Sequence, residues 1–170
     1  MEVLGRQQRQ LEELIEDTVQ QINKRQFELA FVTFQLMSNK LIACMRAEHA
    51  TVYPRLERDA GLINEVAQAR REHEAIEEAI NRLRVGGLSR ELWRTELEQL
   101  ANLVERHAEL EEYTLFPMAM LIMSAEQLKE IGEQFTLSLA VASTVADAAI
   151  TYDTAEFDPP PTMVVRFKAA

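Results

Sequence analysis

Apolar residues return every three or four positions over long windows of this chain, the spacing that gives a helix one apolar face. Leu4, Leu11, Ile15, Val19 and Ile22 form one stripe, and Phe27, Phe31, Phe34, Met37 and Leu41 a second. Ile63, Val66, Ile76, Ile80 and Leu83 form a third, and Trp93, Leu97, Leu100, Leu103 and Leu110 a fourth. The stripes stop where turn chemistry appears. Gly61 closes the second region, and in "GGLS" at 86–89 Gly86 and Gly87 can end one helix while Ser89 caps the next. Only "NKRQ" at 23–26 separates the first two stripes, and a turn is placed there.

Four helices on short links predict an all-α protein, an up-down-up-down four-helix bundle. After Pro117, "SAEQ" at 124–127 reads as a capping box opening a C-terminal helix. The ending "FDPPPTMVVRFKAA" reads as an extended tail, with three prolines stiffening a spacer ahead of a short β-prone run. The expected division is a bundle over 1–136 and a helical extension with its Pro-rich tail over 137–170.

Each stripe is interrupted by polar residues where a core side chain is due. Gln8 sits between Leu4 and Leu11; Cys44 and Glu48 follow Leu41; His73 and Glu77 interrupt the third stripe; His107 and Glu111 follow Leu103. Residues four apart share a helix face about 6 Å apart along the axis, so these groups point inward together. No Lys or Arg shares those faces close to Glu48 or Glu111 except Arg70. Burying two unpaired carboxylates costs several kcal/mol or keeps them protonated, and a metal ion removes that conflict. Imidazole suits iron or zinc, and a carboxylate can bridge two ions. The residues alone therefore point to a metal site inside a bundle. A ferritin-like di-iron site needs Glu three residues before its histidine; His49, His73 and His107 have Arg46, Arg70 and Val104 there, which excludes it.

Composition narrows the class without changing it. The chain has 170 residues, 47% hydrophobic and 27% charged, with a net charge of −10. That suits one soluble, helix-rich domain, and no basic stripe invites nucleic acid or an anionic membrane. The single cysteine forms no internal disulfide, the N-terminal "MEVLGRQQRQLEELIED" lacks an apolar signal core, and "LSLAVASTVADAAI" at 137–150 is too short to span a bilayer. A cytoplasmic location is the expectation.

The interruptions also repeat. "CMRAEHATVYP" at 44–54 and "RHAELEEYTLFP" at 106–117 align His107 with Cys44, Glu111 with Glu48, Phe116 with Tyr53 and Pro117 with Pro54. These segments resemble the H-x-x-x-E…(Y/F)P signature of hemerythrin-like, HHE cation-binding domains. "EHEAIEEAI" at 72–80 resembles that family's third-helix element and "QQRQLEELIE" at 7–16 its first, a likeness covering roughly residues 1–136. It implies a non-haem iron centre to which His73, His107, Glu48 and Glu111 carry over. Gln8 and Cys44 depart from the pattern, both on the same one of the two metals.

Three states of the site follow: one ion on the matching four, two ions with Cys44 as thiolate and Glu77 or Glu12 assisting, or a vestigial site without metal. The cofactor implied is iron, one or two ions, with zinc as the other candidate. By resemblance the partner is O2, NO or peroxide. Three functions remain open: a binder of such ligands, an oxidoreductase handling O2 or peroxide, and a structural or interaction module. A homodimer or a protein partner docked by the tail are further expectations. Tyr53, Phe116, Trp93 and the methionines at 118–123 read as packing, and His49, about 100° round the helix from Glu48, as peripheral.

Overall fold

The computed structural model of the chain describes residues 2–85 and 87–153. No strand occurs among them. Helix α1 spans Glu2–Asn23, α2 Phe27–Ala47, α3 Tyr53–Ala60, α4 Ile63–Arg84, α5 Arg90–Leu110, α6 Phe116–Ile122 and α7 Ala125–Asp153. Because α2 runs on into α3 and α5 into α6, the described chain makes five rods. Four close a ring, in which α1 packs on α2, α2 on α4, α4 on α5 and α5 back on α1. The fifth, α7, lies outside, mainly against α2. The expected bundle with an added helix is the observed fold, although α7 runs unbroken through residues 136 and 137. No described helix is long and apolar enough to cross a membrane. Gly86 and the Pro-rich tail lie outside the described residues.

The predicted turns are made by the expected groups. Arg25, with φ 60, reverses the chain after α1, and Gly61, with φ 69, ends α3 in the left-handed region that glycine enters without strain. Ser89 Oγ accepts the Leu92 amide at 3.2 Å. Ser124 and Gln127 cap each other, the Ser124 amide donating to Gln127 Oε1 at 2.8 Å and the Gln127 amide to Ser124 Oγ at 3.2 Å. The stripes meet in one core containing Leu4, Phe34, Met37, Ile76, Leu83 and Leu100. Trp93 packs edge-on against Phe34, and its indole N–H donates to Leu83 O at 3.2 Å.

Periodicity alone does not foretell what joins α2 to α3 and α5 to α6. Both junctions are single π-helical turns, Glu48–Val52 and Glu111–Leu115. The Tyr53 amide donates to Glu48 O and the Phe116 amide to Glu111 O, five residues back instead of four. The cause is the next residue. Pro54 and Pro117 have no N–H to give, and in α register each ring would strike the carbonyl four residues earlier. Widening the turn by one residue lets the helix continue past the proline. In an α-helix, residues five apart point about 140° from each other. Across the wide turn both ends face inward: Glu48 and Tyr53 are buried, as are Glu111 and Phe116.

The reciprocal cap at Ser124 predicts that Ser124→Ala lowers stability by about 1 kcal/mol in urea unfolding without changing helix content in the native baseline. A change within error would mean that α7 is not held by its cap.

Candidate metal centre

Four elements bring polar groups to one layer near the bundle's middle. Helix α4 supplies His73 and α5 supplies His107, while the two π turns supply Glu48 and Glu111. All four are buried. His73 Nε2 lies 2.8 Å from His107 Nε2 and 3.3 Å from Glu48 Oε2. His107 Nε2 lies 3.7 Å from Glu111 Oε1. Glu48, His73 and His107 thus form a buried cluster, its ligand atoms all within 4.8 Å of one another, able to hold a metal ion.

The spacing suits one shared ion. Donors about 2.1 Å from a metal stand about 3.0 Å apart at a right angle and about 3.4 Å apart at the tetrahedral angle. The 2.8 Å and 3.3 Å separations among His107, His73 and Glu48 therefore suit donors around one ion, with Glu111 Oε1 a further 3.7 Å from His107 Nε2. Two carboxylates and two neutral imidazoles also balance a divalent charge.

The other oxygen of each carboxylate is occupied. Gln8 Nε2 donates to Glu111 Oε2 at 2.7 Å, and the Cys44 thiol donates to Glu48 Oε1 at 3.2 Å. The two residues that depart from the family pattern are therefore donors to the two carboxylates. Beside them is a cavity of about 20 Å³, walled by Leu11, Leu41 and Val104 and reaching the four polar residues, with room for about one water-sized molecule. Glu77 is exposed on α4 and stands outside this layer, because it falls on the solvent side of the helix whose inner face carries His73 and Ile76. Glu12 is exposed at the cavity's edge.

Three further residues enter the layer: Tyr53, expected as packing, His49, expected as peripheral, and Glu72. Tyr53 points its hydroxyl inward, 3.1 Å from His73 Nε2 and donating to Glu111 Oε1 at 3.2 Å. Pro54 was the available signal, since the wide turn it enforces aligns residues five apart. Glu72 is buried and lies 3.3 Å from His107 Nδ1, so it positions the ring with Nε2 toward the layer. His49 is half-buried, and its Nε2 lies 2.9 Å from His73 Nδ1. Behind it, Arg70 Nη1 lies 3.3 Å from His49 Nδ1, while Arg70 Nη2 donates to Glu57 at 3.3 Å. Arg70 therefore serves His49 and Glu57.

One direction of hydrogen bonding satisfies this whole chain. Arg70 only donates, so His49 accepts at Nδ1 and donates from Nε2 to His73 Nδ1. His73 then donates from Nε2 to His107 Nε2, and His107 Nδ1 donates to Glu72.

Charge is costly here. Burial raises Glu48 well above the usual carboxylate range, and Glu111 nearby raises it further. Burial also raises Glu111, partly offset by His107 and by hydrogen bonds from Tyr53 and Gln8. Burial, with His107, His49 and Arg70 adding to it, holds His73 down to about 2. Burial and the neighbouring Glu48 push the Cys44 thiol well up. For Glu72, burial raises the carboxyl, but hydrogen bonds with His107 and Gln68 outweigh it and the net shift is downward.

Fold and site together define an all-helical bundle, among the described residues, with a buried Glu/His/His cluster able to hold a cation. A family model for the hemerythrin HHE cation-binding domain matches residues 2–119, and the chain belongs to that family. The match stops before α7. No curated protein and no solved structure gives a significant match to the chain.

The raised carboxylates set the pH behaviour of chelator-treated protein. Glutamates in the unfolded chain ionise near 4.5, while the folded protein keeps Glu48 and Glu111 protonated to higher pH, so rising pH removes stability above that point. His73 is depressed and acts in the opposite sense, but only up to about 6.5. Between about pH 6.5 and 8 the carboxylates dominate, and chelated protein is expected to lose stability. Glu48→Gln is expected to stabilise the chelated protein at pH 8 by about 1–3 kcal/mol, read by urea unfolding. A destabilised Glu48→Gln variant would show that Glu48 is ionised and paired instead.

Proposed function

We propose that this protein is a non-haem iron protein holding one ion among His73, His107, Glu48 and Glu111, and that it receives a small ligand, O2, NO or peroxide. The observation that carries the reading is the buried cluster of Glu48, His73 and His107, its ligand atoms all within 4.8 Å of one another, with Glu111 Oε1 3.7 Å from His107 Nε2. Paired imidazoles with carboxylates favour iron among available metals, and zinc accepts the same donors. Ferrous iron would supply an open coordination position and a transferable electron.

The protein's own groups then have definite tasks. Glu72 fixes the His107 ring. Gln8 and Cys44 hold the outer carboxylate oxygens that a second ion would need, which supports one ion over two. Leu11, Leu41 and Val104 keep the cavity apolar, and its volume of about 20 Å³ restricts entry to the smallest molecules. The second N–H of the Gln8 amide at its wall can donate a hydrogen bond to such a guest.

Elemental analysis of protein purified without added metal tests this directly. About one iron per chain is expected, falling at least tenfold in His107→Ala at unchanged helix content. About two irons per chain would overturn the single-ion reading, stoichiometric zinc would overturn iron, and no metal after anaerobic Fe(II) loading would overturn both.

The role given to Gln8 and Cys44 has its own test. The Gln8→His, Cys44→His double variant frees both carboxylate oxygens and supplies two imidazoles, so its iron content should rise toward about two per chain. A content still near one would mean that those residues do not limit the number of ions.

A further inference from the structure

Two of the differences between the repeats compensate each other. The first has Cys44 where the second has His107, and Tyr53 where the second has Phe116. At these two positions one copy has a thiol and a phenol, while the other has an imidazole and a bare ring. We infer that Tyr53 is a further ligand of the ion, its phenol oxygen supplying the donor that the first repeat lacks at Cys44. This rests on the metal reading above.

Three observations carry it. The wide turn forced by Pro54 hydrogen-bonds the Tyr53 amide to Glu48 O and swings the ring onto Glu48's inward face. The ring is fully buried. Its oxygen stands 3.1 Å from His73 Nε2 and 3.2 Å from Glu111 Oε1, separations expected between donors of one ion. Cys44 cannot fill the same role from where it lies, because its thiol is held on Glu48 Oε1 at the cavity side. The fully buried ring of Phe34, by contrast, carries no donor and serves the core alone.

Coordination breaks the Oη–H bond. The proton leaves to solvent, the oxygen lone pair forms the bond to the ion, and no change of oxidation state is involved. A phenolate on ferric iron absorbs visible light by charge transfer and gives resonance-enhanced ring vibrations, which carboxylate and imidazole ligands do not.

The test uses full-length protein loaded anaerobically with Fe(II), then oxidised with one equivalent of ferricyanide and desalted. Bound iron is read by elemental analysis and the spectrum by absorption and resonance Raman. A visible band with phenolate ring modes is expected, lost in Tyr53→Phe while iron remains bound, and kept in Tyr113→Phe, whose ring is exposed. Tyr53→Phe places in the first repeat the residue that the second already buries, and circular dichroism checks that it folds. Bound iron without the band, or a band that survives Tyr53→Phe, would overturn the inference and leave Tyr53 as a hydrogen-bond donor to Glu111. Failure of the unaltered protein to bind iron would overturn the metal reading itself, and this inference with it.

Discussion

The burial of Glu48 and Glu111 in the middle of the bundle is the constraint from which the rest of the site follows. A carboxylate removed from water must be neutralised, by a proton, a cation or a set of donors. The groups that meet these two are an amide, a thiol, a phenol and two imidazoles. Each donor is moderate alone, and burial still holds both acids protonated beyond their usual range. Such a layer is a poor structural core. Leucines of similar volume would pack there at lower cost, as Leu100 and Leu115 do elsewhere in the bundle. What the arrangement does well is exchange protons for a cation, because every group that disfavours charge alone becomes favourable around a divalent ion.

The backbone contributes through an unusual device used twice. A proline inside a helix normally ends or kinks it. Here Pro54 and Pro117 each widen one turn, and the wide turn begins at the inward glutamate. This ties the ligand's position to a covalent feature of the chain, so the carboxylates are set by main-chain geometry as well as side-chain packing. It also makes the two halves of the site alike in backbone and different in chemistry, since Tyr53 and Phe116 occupy matching places.

Much of this was legible in the sequence because helix period and cap chemistry are local. The four stripes, the Ser89 and Ser124 caps and the turn at Arg25 all follow from residues within a few positions of each other. The inward set at Gln8, Cys44, Glu48, His73, His107 and Glu111 followed from the same period, and the structure brings all six to one layer. Period failed where the helix changed register. Counting in α turns sends Tyr53 away from Glu48, and only the consequence of Pro54 corrects that. It failed again for Glu72, whose role depends on how α4 faces α5, a tertiary fact absent from either helix alone. Glu77, one turn on from His73, is exposed at the edge of its stripe, where period alone does not separate an inward side chain from a solvated one.

The direction of the hydrogen bonds adds a last constraint on how the layer meets a cation. For His73 to offer a lone pair at Nε2, its hydrogen must leave that atom. If it moves to Nδ1, His49 must accept at Nε2 and carry its own hydrogen on Nδ1, facing Arg70, which cannot accept. Arg70 must then release His49, and Glu57 is the acceptor already in place to retain it. The pair Arg70–His49 therefore opposes cation binding at His73, whereas Glu72 favours it at His107 by drawing the hydrogen to Nδ1. The two imidazoles are unequal ligands for this reason: His107 is prepared in advance, and His73 is available only when a half-buried arginine gives way.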